Sequence, residues 1–266
     1  MKKEIYILIL IVFGLGTSLY SQKTEIEKYY VRVDTSFISK LKKAYDSSIE
    51  ELMSVLEVNN DNRENLGFGY QLKESGKGLG SISINYQILY YKNKIISYEL
   101  STYIPNKSRK LQKLYKEKLS ILFDVDSDYN VEPFYFNITQ ANKPLVGMDR
   151  LKNNSLDRVM SPFTGTIYGN YCSSANKMLA NRKEFNEVIN KDNCQYLLYS
   201  KNPSTRLMAV EFYYHNKNDF NESQKNIINM RINKLRRNPI LTRTCSGCIR
   251  GKDMTKKIIK ELKKGK

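Results

Sequence analysis

The sequence predicts an α+β fold, with an N-terminal helix and antiparallel-sheet domain followed by a mostly α-helical domain. Three observations carry this. Apolar residues recur every three or four positions over 36–56, the period shifts to two over 82–104, and helical spacing returns from about residue 170 with little strand signal. Hydrophobic residues make up 41% of the chain, enough for a sizeable core.

The chain opens with Lys2 and Lys3, an almost purely apolar run from Ile5 to Leu15, and small residues at Thr17, Ser18 and Ser21. This is the layout of a secretory signal peptide over residues 1–21. Its apolar core of about eleven residues falls short of the roughly 20 that a bilayer crossing needs. Cleavage and export are therefore expected, to the periplasm or beyond. No Cys lies near the cut, which argues against a lipid anchor. No later apolar run approaches spanning length, so the mature chain is expected to be soluble or peripheral.

Residues 22–141 read as the α+β domain. Ser36 is the expected cap of a helix to about Leu56, with Phe37, Leu41, Tyr45, Ile49, Leu52 and Leu56 as its apolar stripe. Gly67 to Leu72 is a short strand candidate. Gly76, Gly78 and Gly80 suggest a flexible hairpin turn rather than a phosphate loop, because strand pattern flanks them on both sides. Ile82 to Tyr91 alternates, Lys92-Asn93-Lys94 turns, and Ile95 to Ile104 returns, ended by Pro105. Ser108 is placed to cap a helix carrying Leu111, Tyr115, Leu119 and Phe123, and Phe134 to Thr139 reads as one more strand. Residues 142–168 read as a connector.

Residues 169–250 read as an α-helical, Cys-containing domain. Helices are predicted over 174–183, 185–190, 194–200, 204–214 and 223–237, with Pro239 ending the last. Within it, Asn202-Pro203-Ser204-Thr205-Arg206-Leu207-Met208-Ala209-Val210-Glu211 resembles the turn and second helix of a HEAT-type repeat. The resemblance covers about one repeat, residues 185–214, and departs from the family in the bulky Phe212, Tyr213 and Tyr214. It implies helix-pair packing and a protein-binding scaffold rather than an enzyme. One repeat cannot bury its own face, and no second copy is visible.

Residues 251–266 read as a basic tail with a possible short helix over 255–263. The net charge of the chain is +17, and residues 231–266 hold thirteen Lys/Arg against two acids. Arg236, Arg237, Lys256, Lys257, Lys260, Lys263 and Lys264 are the candidate contacts to an anionic surface. Export sets nucleic acid aside as the partner and favours another protein or an anionic envelope surface. Twenty Tyr and no Trp add a surface suited to sugar or protein contact.

Four cysteines, Cys172, Cys194, Cys245 and Cys248, suit two disulfides in an oxidising compartment, with three possible connectivities. Cys245-Ser246-Gly247-Cys248 also fits a zinc half-site or a redox pair, with Arg243 and Arg250 placed to lower a thiol pKa. Asp124, Asp126 and Asp128 alternate like the start of an EF-hand loop, but Tyr129 and Tyr135 stand where that loop has Gly and Glu. No cofactor is expected, with zinc or calcium as alternatives. His215, the one His, suits a helix C-terminus, and neither a G-x-S-x-G elbow nor a P-loop is present. The functional expectation is an exported, non-enzymatic protein with an interaction or structural role in the cell envelope. The alternatives are a metal-binding or thiol-redox protein using the four cysteines, and an exported hydrolase of unrecognised type.

Overall fold

The computed structural model describes residues 2–59, 61–106, 108–125, 130–142, 145, 154–172 and 177–265, with the side chains of these except 2–24, 139, 154 and 155. The chain is α+β, as the sequence predicts. It divides into two compact units, and the division is not the sequential one expected. The first unit takes Met1–Asn60, Ser75–Asn85 and Leu100–Phe134; the second takes Asp61–Glu74, Tyr86–Glu99 and Tyr135–Lys266. One five-stranded sheet runs in sequence order, β1 (Glu64–Gly67), β2 (Tyr70–Gly78), β3 (Ser83–Tyr91), β4 (Lys94–Ser101) and β5 (Phe134–Phe136). Strands β2, β3, β4 and β5 each contribute residues to both units.

The β3–β4 turn holds Lys92 and Asn93 at φ +47° and +66°, the pairing that matches the twist of a two-residue hairpin. The single strand expected over 67–72 is instead broken. Gly67, Phe68 and Gly69 all take positive φ, and the last two separate β1 from β2. The glycine-rich stretch expected to be a flexible turn is largely strand. Gly76 and Gly78 belong to β2, and a Cβ on Gly78 would come within 2.8 Å of the Ile82 carbonyl. Close backbone approach, not flexibility, accounts for glycine there.

In the first unit, α1 (Lys2–Ser47) runs straight through Ser36, the expected cap. The expected signal segment lies on this helix, where side chains fall outside the described residues. The break comes at Ser48, whose hydroxyl accepts the Glu51 N–H and starts α2 (Ile49–Val55) with Glu50 and Glu51 in its first turn. Phe37, Ile38, Leu41 and Ala44 bury the inner stripe of α1, and Leu52, Met53 and Leu56 continue it. Ser108 caps α3 (Arg109–Leu119) as predicted. A carboxylate lies at the centre: Asp34 is fully buried, accepts the Ser81 N–H at 2.8 Å and the Tyr115 hydroxyl at 2.6 Å, and would collide with any Cβ on Gly80. Burial and the Asp34 carboxylate together push the Tyr115 phenol upward.

In the second unit, α4 (Ile138–Asn142) ends at the start of the expected connector and α5 (Asn154–Met160) lies within it, while its residues 143–144 and 146–153 lie outside the described residues. Then come α6 (Ala180–Val188), α7 (Cys194–Leu197), α8 (Pro203–His215) and α9 (Glu222–Arg237). Helix α8 is buried on almost every side, with ten residues from Pro203 to Tyr214 inaccessible. Leu156, Val159, Phe185, Leu197, Ile228 and Ile232 share its core. Asn221 and Gln224 form a reciprocal capping box at the start of α9.

The strand signal expected to fade after residue 170 returns at the end. Strands β6 (Leu241–Ser246) and β7 (Ile249–Met254) form an antiparallel hairpin. It escapes a hydrophobic pattern because its buried positions, Thr242 and Cys245, are not large apolar residues. The expected basic tail is helix α10 (Thr255–Lys264), packed on α8 and α9 with Ile258 and Ile259 buried.

Removing the hydroxyl in Tyr115→Phe leaves the buried Asp34 short of a charge-assisted donor. The expected cost is about 1–3 kcal/mol in a urea unfolding curve, with the secondary structure unchanged.

Candidate functional site

The β6–β7 hairpin is locked in place from outside. Residues 166–169 run beside β6: the Tyr168 N–H donates to the Arg243 carbonyl and the Cys245 N–H donates to the Tyr168 carbonyl, both at 2.9 Å. A Cβ on Gly169 would strike the Cys245 carbonyl, so only glycine permits this approach. Cys172 and Cys245 then form a disulfide with Cα atoms 5.4 Å apart, closing a separation of 73 residues. The Tyr168 hydroxyl donates to Glu211 on α8 at 2.8 Å, and Arg182 on α6 pairs with the same carboxylate at 2.8 Å while donating to the Gly169 carbonyl. Burial and Glu211 raise the Tyr168 phenol well above its ordinary value.

The cysteines therefore do not form two bridges. Cys194 sits in the core on α7, its thiol donating to the Ala209 carbonyl at 3.5 Å. Burial pushes that thiol up to about 12. Cys248 is exposed in the hairpin turn. The structure does not bring the four sulfurs together as one zinc site. Among the described residues, no group of three or more His, Cys, Asp or Glu side chains is placed to hold a metal. Of the calcium candidates, Asp124 is exposed, its carbonyl accepting the Glu132 N–H, and Asp126 and Asp128 lie outside the described residues. His215 is exposed at the last turn of α8.

Arg243, expected to act on a nearby thiol, is engaged elsewhere. One of its nitrogens lies 2.6 Å from Glu64 and 2.7 Å from Glu74, and it also donates to Thr166, whose hydroxyl donates to Glu64. Burial opposes the Arg243 charge, but Glu74 and Glu64 outweigh it and raise its pKa. A cleft of about 690 Å³ opens here, lined also by Arg63, Lys252 and Leu241. Its two carboxylates both pair with one guanidinium, so the cluster ties β1 and β2 to β6. No local pattern announces this cluster, since Glu74 and Arg243 are 169 residues apart.

The cationic candidates are all at the surface. Arg236 and Arg237 end α9, and Lys256, Lys257, Lys260, Lys263 and Lys264 line the outer side of α10, opposite Thr255, Ile258 and Ile259. Lys257 pairs with Asp253 at 2.8 Å, which raises its pKa. The remaining lysines of this face are not ion-paired among the described residues. Among the described residues no helix is long and apolar enough to cross a membrane.

No protein-family model matches the chain, and no characterised protein or solved structure matches it either.

Two outcomes follow for the cysteines. At pH 8 without denaturant, a thiol reagent should label Cys248 and leave Cys194 unreacted until the chain is unfolded, because the raised Cys194 pKa and its burial both suppress the thiolate. Cys172→Ser with Cys245→Ser should lower unfolding free energy by about 4 kcal/mol, the chain-entropy value for a loop of this length, read by urea unfolding.

Proposed function

We propose that the chain is exported and acts without catalysis, as a binding protein for an anionic surface of the cell envelope. The observation that carries this reading is the outer face of α10, where exposed cations stand on a helix fixed by buried Ile258 and Ile259, with exposed Arg236 and Arg237 ending the α9 helix that packs on it. Export rests on the layout of residues 1–21, and the Cys172–Cys245 disulfide suits an oxidising compartment. The apolar side of α10 is already committed to the core. Attachment is therefore electrostatic rather than insertional, and falls with salt. The HEAT-type reading of residues 185–214 belongs to the same proposal, with α7 and α8 as the packed pair on which the basic face is mounted; Pro203 in the first turn and the Asn202 cap on Ser204 support it.

The test is sedimentation with phosphatidylglycerol vesicles. Lys256→Gln, Lys260→Gln, Lys263→Gln and Lys264→Gln combined should weaken association more than tenfold while the fold persists, and about 0.5 M salt should abolish it in the parent. Binding that is unchanged by the four substitutions would overturn the reading.

A further inference from the structure

Two arginines of the second unit are buried without an acidic partner. Arg206 on α8 and Arg231 on α9 are each 2% exposed. Arg206 donates to the carbonyls of Leu66 and Ser200, and Arg231 donates through Nε to the Leu198 carbonyl at 3.3 Å. Both guanidiniums lie near the Phe68 ring, 5.4 Å and 4.9 Å from its centroid, and Arg231 also stacks 4.0 Å from Tyr199. All these partners are neutral. Neither arginine forms an ion pair among the described residues, although Arg182 and Arg243 in the same unit each hold a carboxylate. A buried charge without a counter-charge is costly, and two neighbouring ones repel. Burial and the Arg231 charge together push Arg206 down to about 9, and burial lowers Arg231 as well.

Arg231 lines an open cavity of about 640 Å³. The other lining residues include Lys234 and Arg237, one and nearly two turns further along α9, with Tyr199 and Asn233. Among the described residues no acidic side chain lines it. The Arg231 Nη2 is buried with no hydrogen-bond partner among the described residues. Three cations, an amide and a phenol around one cavity match the oxygen-rich surface of a compact dianion.

We propose that this cavity binds a phosphate dianion, free or as a monoester, with Arg231 as the inner contact and Lys234 and Arg237 closing it from the surface. The site supplies the counter-charge that the Arg206–Arg231 pair lacks. It is separate from the α10 face, sharing only Arg237 with the basic surface above.

The test is titration of the full chain with inorganic phosphate, followed by calorimetry and by thermal unfolding, with chloride at matched ionic strength as the reference. Saturable binding of one phosphate per chain and a raised melting temperature are expected. Lys234→Ala with Arg237→Ala, both exposed and compatible with folding, should weaken the affinity at least tenfold; Arg231→Lys should do the same by removing the planar fork. Methyl phosphate should bind as inorganic phosphate does, and dimethyl phosphate, a monoanion resembling a lipid or polymer diester, at least tenfold more weakly. The four α10 Lys→Gln substitutions should leave phosphate affinity within twofold even if they abolish vesicle binding. Absence of saturable binding, equal affinity for the diester, or loss of phosphate binding in the α10 variant would each overturn the proposal.

Discussion

A helix whose first turns are buried on all sides has no water to satisfy its orphan N-terminal donors, so its surroundings must supply partners in place. Helix α8 meets that constraint with polar residues that are themselves buried. Asn202 caps the Ser204 N–H and donates to the Ser161 and Gly165 carbonyls. Asn181 reaches Ser204 and the carbonyls of Gly165 and Ile167, while Thr205 donates to the Val159 carbonyl. Arg206 adds β1 to the same node through Leu66. One helix start thereby fixes the path of 159–167, and that path delivers Tyr168 and Gly169 to β6. The disulfide closes a geometry that the α8 node has already set.

The distribution of paired charge follows from this arrangement. Where the node brings loops together, carboxylates meet arginines: Glu211 with Arg182 beside Gly169, and Glu64 with Glu74 around Arg243. Both clusters tie the segment 166–169 to its neighbours, Glu211 through Tyr168 and Glu64 through Thr166. Such partly buried pairs specify one arrangement, and breaking one partner costs more than the pair itself contributes. Across the core, Arg206 and Arg231 are met by carbonyls and aromatic faces instead. The contrast within one unit marks the α9 side as the place where charge remains to be balanced by something other than the chain.

The sequence exposed elements whose burial is apolar and periodic. The α1 stripe, the Ser108 cap, the Lys92–Asn93 turn and the core of α8 all follow from local chemistry. It hid elements whose buried face is polar. Strand β6 buries Thr242 and Cys245, so no alternation of large apolar residues shows. Likewise Gly78 reads as turn chemistry but is a strand position where backbones come close. The candidate site divides in the same way. Clusters of Lys and Arg are visible by count, whereas Glu64, Glu74 and Arg243 meet only through tertiary structure. Among four cysteines, the one on α7 fills a helical core position and is unpaired.

Helix α10 shows why a charged segment at the end of a chain cannot be treated as an appendage. Its lysines face outward only because Ile258 and Ile259 face inward, and the helix follows directly on β7, where the Thr255 N–H and hydroxyl both bond the Ile240 carbonyl. Removing the segment would strip two isoleucines from the core and release the end of the hairpin, so a loss of binding on truncation would report unfolding. Substitution at the lysine tips leaves that anchoring intact. A cationic face held on a packed helix also differs physically from a loose basic tail. Its charges keep fixed spacing and lose little conformational freedom on association, which lets a small number of them act together against a surface of regular negative charge.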